Sequence, residues 1–261
     1  CYRHISQHEF KSIPGSPIAY WIGERLKAAF QNQLLSELTL SDGQNITADN
    51  EQFVRNHWEL SASSVGRENK WLLYAKGGPF RRWYGNLESV VNWSPEARTH
   101  YRQDSSARII PEYLWYRQGI TWSRVGTALA AFRLLPENAT FDKVGSSVFL
   151  KNDDDTNLLL GLLNSSVAQE ILDLLNPSID IQVKDVRNVP LPGSINRQLI
   201  EQRISPLVIA AKSDWDNFET SWDFHDLPLL RSGTKGATLA ASWEAWRDQC
   251  TAAIRRMQEF E

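Results

Sequence analysis

Cysteine is scarce in this sequence, which contains Cys1, Cys250 and no others. Two cysteines cannot form the disulfide framework of a small secreted domain, and they fit a reducing cytosol. The apolar runs are short, since none approaches the roughly 20 residues that a membrane-spanning helix needs. No signal peptide is legible either. These scarcities predict a cytoplasmic protein without a membrane span.

Methionine is nearly absent as well, because Met257 is the single methionine and the chain begins at Cys1. Residues 1–16 are mostly polar and resemble the end of a connecting segment. We therefore expect the sequence to be a piece of a longer protein, with residues 1–16 forming the linker from a preceding domain.

Catalytic and metal-binding patterns are missing too. The five histidines are scattered, and the helical spacing of His4 and His8 lacks the third ligand that a zinc site needs. Asp180, Gln182 and Lys184 loosely resemble a nuclease metal site, but no second acid is placed for two-metal chemistry. The sequence predicts no catalytic residue and no metal ligand in this chain.

Charge is unevenly distributed along the chain. The net charge is −3, yet the segment from Arg55 to Arg133 holds 12 Lys/Arg against 6 Asp/Glu, a net +6. The remainder holds 16 basic and 25 acidic residues, a net −9. A basic middle in an acidic chain indicates a local site for a polyanion, unless these charges lie on several faces.

The middle of the chain is rich in tryptophan and β-branched residues, since six of the 11 Trp fall between residues 55 and 124. Short runs of such residues separated by polar or glycine turns are typical of strands. We expect strands at residues 71–75, 89–93, 113–116, 120–122, 128–135 and 147–150.

Apolar residues at spacings of three and four indicate helices elsewhere. This periodicity predicts helices over residues 17–38, 156–175, 194–212 and 238–260. Asn176-Pro177 ends the second of these because a residue before proline disfavours the helical conformation. The last two are expected to pack together as a hairpin.

Residues 74–86 combine cations and aromatic rings in a segment that cannot be helical. Gly77, Gly78 and Pro79 break regular structure, and Lys76 and a pair of arginines alternate with rings. Arginine suits phosphate and the edge of guanine, and rings stack on bases or wedge between them. A hairpin tip whose rings fold back onto the core is the equally weighted alternative.

This loop also carries a resemblance to a known family. Its string Lys-Gly-Gly-Pro-Phe-Arg-Arg-Trp-Tyr-Gly-Asn at residues 76–86 is similar to a region downstream of the catalytic core in the adenine-specific DNA methyltransferases of BREX phage-resistance systems, the PglX family. The similarity continues through the strings at residues 90–93, 119–123, 160–165, 175–177 and 215–224. The family's Gly-Leu-x-Thr-Gly-x-Asn run is replaced by a different sequence at residues 43–50.

The resemblance implies a role in methylation of adenine N6 in a short DNA site, by which host DNA is distinguished from phage DNA. The Asn-Pro-Pro-Tyr motif and the glycine-rich turn for S-adenosylmethionine are absent here, and Asn176-Pro177-Ser178-Ile179 reads as a helix stop. We therefore expect no cofactor in this chain and S-adenosylmethionine in an upstream domain of the intact protein. The implied partners are double-stranded DNA and that upstream methyltransferase domain.

If DNA is the ligand, its contacts divide into phosphate anchors and base readers. The candidate anchors are Lys76, Arg81, Arg108 and Arg124. The candidate readers or wedges are Arg82, Trp83, Tyr84, Asn86, Trp122 and Ser123.

The expected fold class is α+β: a curved, mostly antiparallel sheet with flanking helices, followed by a helical C-terminal part. Residues 17–192 would form the target-recognition domain and residues 193–261 the helical region. Two other functions stay open. The acidic, aromatic segment at residues 215–226 would suit a protein-interaction module that docks on another phage-defence protein or on a phage inhibitor. A specificity domain of a fused restriction-methylation enzyme is the third hypothesis.

Overall fold

The computed structural model describes residues 13–17, 21–126 and 129–261. The expected linker at residues 1–16 and the histidine pair His4 and His8 therefore lie largely or wholly outside the described residues.

The described part of the chain folds into short strands and helices of very different lengths. The helices are α1 (Glu24–Ala29), α2 (Leu35–Leu38), α3 (Asn50–Phe53), α4 (Pro95–Gln103), α5 (Thr156–Leu163), α6 (Ser166–Leu175), α7 (Val183–Arg187), α8 (Arg197–Trp215) and α9 (Leu239–Phe260). The strands are β1 (Thr39–Leu40), β2 (Val54–Asn56), β3 (Trp71–Ala75), β4 (Ser89–Asn92), β5 (Gly119–Trp122), β6 (Phe132–Leu135), β7 (Ala139–Phe141) and β8 (Ser147–Leu150).

The strands form two four-stranded sheets. The first has the order β1-β8-β5-β6 and is antiparallel throughout. The second has the order β2-β4-β3-β7, in which β3 and β7 form the parallel pair. The expected α+β class with mostly antiparallel strands is confirmed, but the strands divide between two sheets instead of one.

One hydrophobic core joins the two sheets to the helices. It contains residues from β3, β5, β6 and β8, the apolar faces of α5 and α6, and Leu207, Ala211 and Trp215 of α8. A smaller cluster around Phe53, Trp93 and Tyr101 packs α4 against the other face of the second sheet. The proposed boundary at residue 192 stays a prediction, although α8 lies in the same core as the sheets.

The single helix expected over residues 17–38 is wrong, because the described part contains α1 and α2 with a break between them. At the break Asn32 donates its side-chain amide to the Leu191 carbonyl at 3.0 Å, and Leu34 forms an antiparallel bridge with Pro190. Pairing with a segment more than 150 positions away outweighs the local helical periodicity.

The helix expected over residues 156–175 is also interrupted. Ser165 caps α6 by accepting a hydrogen bond from the Ala168 amide, and the two helices α5 and α6 meet at a bend of 80° between the spans Asp153–Leu163 and Ser166–Leu175. Asn164 fills the corner, since its side chain bonds both the amide and the carbonyl of Phe132 at 3.0 Å. In the described residues no unbroken helix has the length and apolarity to cross a membrane, and this bent pair passes that test when its halves are combined.

The strand expected at residues 113–116 is wrong. A turn of 3₁₀ helix occupies Glu112–Leu114, and Trp115 donates its indole N–H to the Ile110 carbonyl at 2.9 Å. The other expected strands are present, with residues 128–135 reduced to β6.

The two C-terminal helices are present and contact one another, as expected. Met257 and Phe260 pack against the core, whereas the apolar side chains of Leu239, Trp243 and Ile254 on the same helix are more than half exposed. The apolar periodicity predicted helix α9 correctly, but several of its apolar residues are exposed instead of buried.

Candidate nucleic-acid interface

Three loops meet at one surface beside the ends of β3, β5 and β7: residues 76–82, 123–126 and 142–145. The Ser123 hydroxyl donates to the Gly78 carbonyl at 2.8 Å, which joins the first loop to the second. The Arg124 amide donates to the Val144 carbonyl at 2.8 Å, which joins the second to the third. We call this surface the three-loop face.

The path of the first loop depends on glycine. Gly78 has φ +120°, a conformation that side chains disfavour, and a Cβ there would lie 2.9 Å from the Asn86 amide group. Asn86 itself is buried and donates to the Pro79 carbonyl at 2.9 Å. Because its amide holds the loop, Asn86 is not available as the base reader that the sequence suggested.

The third loop approaches the first through Gly145. A Cβ at this position would overlap the Ala75 carbonyl and lie 2.8 Å from the Gly77 amide nitrogen. The two loops therefore contact each other backbone to backbone, and any side chain at Gly145 would have to separate them.

Gly145→Ala is accordingly expected to lower the free energy of unfolding by about 1–3 kcal/mol, the usual cost of overpacking. The matched control is Gly126→Ala, because a Cβ at Gly126 has no atom within 4 Å. Chemical denaturation of both variants measures the difference. Equal stability of the two variants would contradict the close packing of the loops.

The three aromatic residues predicted as base readers or wedges lie inside the protein. Trp83 and Tyr84 are 4% and 7% exposed, and Trp122 is fully buried. Trp83 is turned inward by pairing with β6, since its amide donates to Phe132 and its carbonyl accepts from Leu134. The prediction of these three rings as base readers or wedges is therefore corrected: the hairpin-tip alternative describes them.

Phe80 is the ring that the first loop leaves in solvent, with 53% of its surface exposed. Val125, Leu129 and Val144 are exposed on the neighbouring loops or beside them. Phe80 is not among the base readers predicted from the sequence. Its position directly after Gly-Gly-Pro, at the tip of the loop, was the available signal.

Two of the predicted cations are firmly held by carboxylates. Arg81 bonds Asp214 at 3.0 Å and lies over the Trp215 ring at 5.0 Å, so it anchors the loop to α8. Arg124 makes a two-pronged pair with Asp180, with distances of 2.5 and 2.8 Å. These hydrogen bonds raise the pKa of Arg124 and lower the pKa of Asp180.

Two other cations have looser partners. Lys76 lies 3.5 Å from Asp142 and Arg82 lies 3.6 Å from Glu261, beyond strong hydrogen-bond distances. The Arg82–Glu261 pair is partly exposed, and such pairs contribute about 0–1 kcal/mol, so a phosphate can replace the Glu261 carboxylate. Asp142 is buried, and it keeps hydrogen bonds from the Val144 amide and the Tyr74 hydroxyl when Lys76 turns to a phosphate. Lys143 is exposed, and no ion pair to it is formed by the described residues. These three cations are the ones that a polyanion can reach at low cost.

Arg108 lies apart from these contacts. Its backbone pairs with Ile46, and its guanidinium donates to the carbonyls of Ser105 and Ala107. The structure thus brings together the predicted residues of the 76–82 loop with Ser123 and Arg124, and it gives Arg108 a separate, local set of partners.

The acidic, aromatic segment at residues 215–226 is largely packed onto the sheets. Trp215 is buried, and Trp222 meets the His57 ring edge to face at 5.7 Å. His57 in turn lies 3.0 Å from the Thr220 carbonyl through its Nε2 atom. Phe218 remains half exposed. Most of the rings proposed for docking are therefore occupied within the chain.

Metal-binding chemistry has little support in the described residues, where no cluster of three or more His, Cys, Asp or Glu side chains could hold an ion. Asp180, the first residue of the loose nuclease pattern, has its carboxylate bound to Arg124.

Comparison with known proteins supports the family resemblance. The chain is 31% identical to an adenine-specific methyltransferase PglX of Lacticaseibacillus casei (strain Zhang) over 278 aligned positions, covering 98% of this chain and 23% of that protein. It is 30% identical to an adenine-specific methyltransferase BrxX of Escherichia coli O9:H4 (strain HS), covering 95% of this chain and 21% of that protein. The chain thus spans about a fifth of the length of these curated relatives.

No protein-family profile matches the chain. Among solved structures, the type IIL restriction-modification enzyme MmeI in complex with DNA aligns with 88% of this chain and 34% of its own, at a TM-score of 0.42 and 11% identity. A likeness at this level carries no functional argument.

Proposed function

Because the chain matches the adenine-specific methyltransferases PglX and BrxX along nearly all of its length, we propose that it is the DNA target-recognition region of such an enzyme. It binds duplex DNA and presents the target adenine to a catalytic domain of the intact protein. That domain supplies S-adenosylmethionine chemistry, since this chain lacks the Asn-Pro-Pro-Tyr motif.

The observation that carries the proposal is the composition of the three-loop face. The exposed ring of Phe80 shares the three-loop face with Lys76, Arg82 and Lys143, whose charges are unpaired or loosely paired in the described structure. Cations that reach phosphate and a ring that reaches bases are the two contact types of a DNA-binding loop.

Lys76 and Arg82 exchange their carboxylate partners for DNA phosphates. In the free protein Asp142 and Glu261 hold Lys76 and Arg82 at distances of 3.5 and 3.6 Å. A DNA phosphate offers charge-assisted hydrogen bonds that are shorter and stronger than these pairs. The loop backbone stays in place during the exchange because the buried Asn86 amide holds the Pro79 carbonyl.

Phe80 provides the contact with the bases. The Arg82 guanidinium lies 5.7 Å from the centre of its ring, so the cation and the ring approach the same part of a ligand. Adenine methylation requires the base to leave the helical stack. A ring inserted at a base step lowers the cost of that distortion.

The direct test is a salt titration of the 261-residue chain with duplex DNA. We expect the logarithm of the affinity to fall linearly with the logarithm of the salt concentration, with a slope of about −0.9 for each phosphate bound. Three exchangeable cations give a slope of about −2.7. Fluorescence anisotropy of a labelled duplex measures it.

The same titration separates the competing functions. A module that docks on another phage-defence protein would pass through heparin at low salt and give no binding curve with DNA. A specificity domain of a fused restriction-methylation enzyme would bind DNA equally, and cleavage by the intact parent protein distinguishes it from the proposal.

A further inference from the structure

Arg133, in the middle of β6, is a buried cation without a carboxylate. It is 1% exposed, and none of the ion pairs among the described residues includes it. Its Nη1 donates to the Arg81 carbonyl at 3.2 Å and its Nη2 donates to the Ser123 hydroxyl at 3.3 Å. Its Nε is buried without a hydrogen-bond partner. The hydrogen bonds that it forms are long, and its charge is not compensated.

An uncompensated buried charge is expensive, because solvation is lost and no counter-ion replaces it. Burial, with the nearby Arg81 charge, lowers the pKa of Arg133 to about 10, so that the group stays positive at neutral pH. The fold therefore holds a positive charge in a position where a bound anion would stabilise it.

A cavity of about 210 Å³ opens on the three-loop face. Its lining includes Gly78, Phe80, Ser123, Leu129 and Ala131. Two of these residues touch the arginine: Ser123 through its hydroxyl, and Ala131 through its carbonyl at 3.5 Å from Nη1. The guanidinium thus lies immediately behind the cavity wall.

Ser123 connects the buried charge to the cavity. Its hydroxyl accepts from Arg133 and donates to the Gly78 carbonyl at 2.8 Å. A hydroxyl that accepts a bond from a cation becomes a stronger donor, because successive hydrogen bonds polarise one another. Rotation of that hydroxyl directs its proton into the cavity, where an anionic oxygen can accept it.

We propose that this cavity binds one phosphate group of the DNA backbone, with Ser123 as the direct donor and Arg133 as the buried charge that strengthens it. This inference rests on the proposed function and adds a site to it. Phe80 lines the same cavity, so the sugar or base attached to the phosphate lies against its ring. The volume is several times the roughly 30 Å³ that a water molecule occupies in the liquid.

The first test uses inorganic phosphate alone. In thermal unfolding at constant ionic strength, replacing chloride by phosphate at about five times its Kd should raise the Tm of the chain by about 2–4 °C. Ser123→Ala should abolish the rise. Arg133→Gln should abolish it as well, and Arg133→Lys, which keeps the charge, should restore part of it.

Ser61→Ala is the matched control, because Ser61 is an exposed hydroxyl outside the three-loop face, and it should show the full rise. If Arg133→Gln does not fold, the phosphate-dependent change in the Tm of Ser123→Ala is sufficient to test the proposal. The absence of a rise in the wild type would overturn the proposal even if DNA binds. An equal rise in Ser123→Ala would overturn it too, by assigning the phosphate to Lys76 or Arg82.

The second test finds the source of the phosphate. Single neutral methylphosphonate groups are placed along the duplex, and one position should weaken the wild type while leaving Ser123→Ala unaffected. Loss of DNA binding together with a Ser123-dependent phosphate shift would retain the anion site and reject the proposed function. If DNA binds but no methylphosphonate position affects the wild type and Ser123→Ala differently, the cavity does not bind a phosphate of the DNA backbone.

Discussion

Replacing Lys76, Arg82 and Lys143 together by Ala is expected to weaken duplex binding about 100-fold at roughly 0.1 M salt. A hydrogen bond to a charged group contributes about 1.5–3 kcal/mol. Breaking the ion pairs of Lys76 and Arg82 subtracts up to about 1 kcal/mol from each of those two contributions. A net contribution of about 1 kcal/mol for each of three cations gives about 3 kcal/mol, or two orders of magnitude in affinity.

The slope of the salt titration provides the more specific measurement. Removal of three phosphate contacts should bring it from about −2.7 close to zero. Non-specific electrostatics is controlled by Lys235→Ala, Arg247→Ala and Arg255→Ala combined, which changes the net charge equally at exposed positions on or before α9. If both triple variants lose the same affinity and slope, the three-loop face has no special role in binding.

Trp122→Ala is expected to have the largest effect on stability, a loss of about 3–5 kcal/mol in the free energy of unfolding. The side chain is fully buried, and its ring lies 5.6 Å from that of Phe132. Its indole N–H donates to the Ile181 carbonyl at 3.0 Å, which joins β5 to the segment before α7. Truncation leaves a large cavity and an unsatisfied carbonyl, and urea denaturation measures the loss.

Trp122→Phe tests whether the residue is also a base reader. Phenylalanine keeps most of the buried ring and loses the bond to Ile181, for a smaller cost of about 1–3 kcal/mol. Because the ring has no route to solvent in the folded protein, DNA affinity of the folded variant should equal that of the wild type. A drop in affinity at a temperature where the variant remains folded would return Trp122 to the candidate readers.

Much of the local structure could be predicted from the residues. The apolar and aromatic run at β3 and the apolar periodicities of α8 and α9 predicted those elements correctly because their signals are local. The predicted elements are wrong where hydrogen bonds to distant residues determine the local structure. Asn164 interrupts the helix over residues 156–175 by bonding the backbone of Phe132, 32 positions away.

The candidate site likewise has some features that the sequence predicted and others that depend on distant contacts. Gly77, Gly78 and Pro79 predicted a loop, and the cations around them predicted a place for a polyanion. Which rings face solvent could not be read from the order Phe80, Trp83, Tyr84, since pairing of Trp83 with β6 turns the latter two inward.

By itself, the sequence determined the α+β class, the presence of a loop within residues 74–86, and the relationship to adenine-specific methyltransferases, because patterns and motifs are carried by neighbouring residues. The tertiary structure alone decided which cations remain available. Asp214 binds Arg81 at 3.0 Å, whereas Glu261 lies 3.6 Å from Arg82, and both carboxylates are more than 130 positions away along the chain. Such pairs depend on how helices pack against sheets, and that packing has no local signature in the order of the residues.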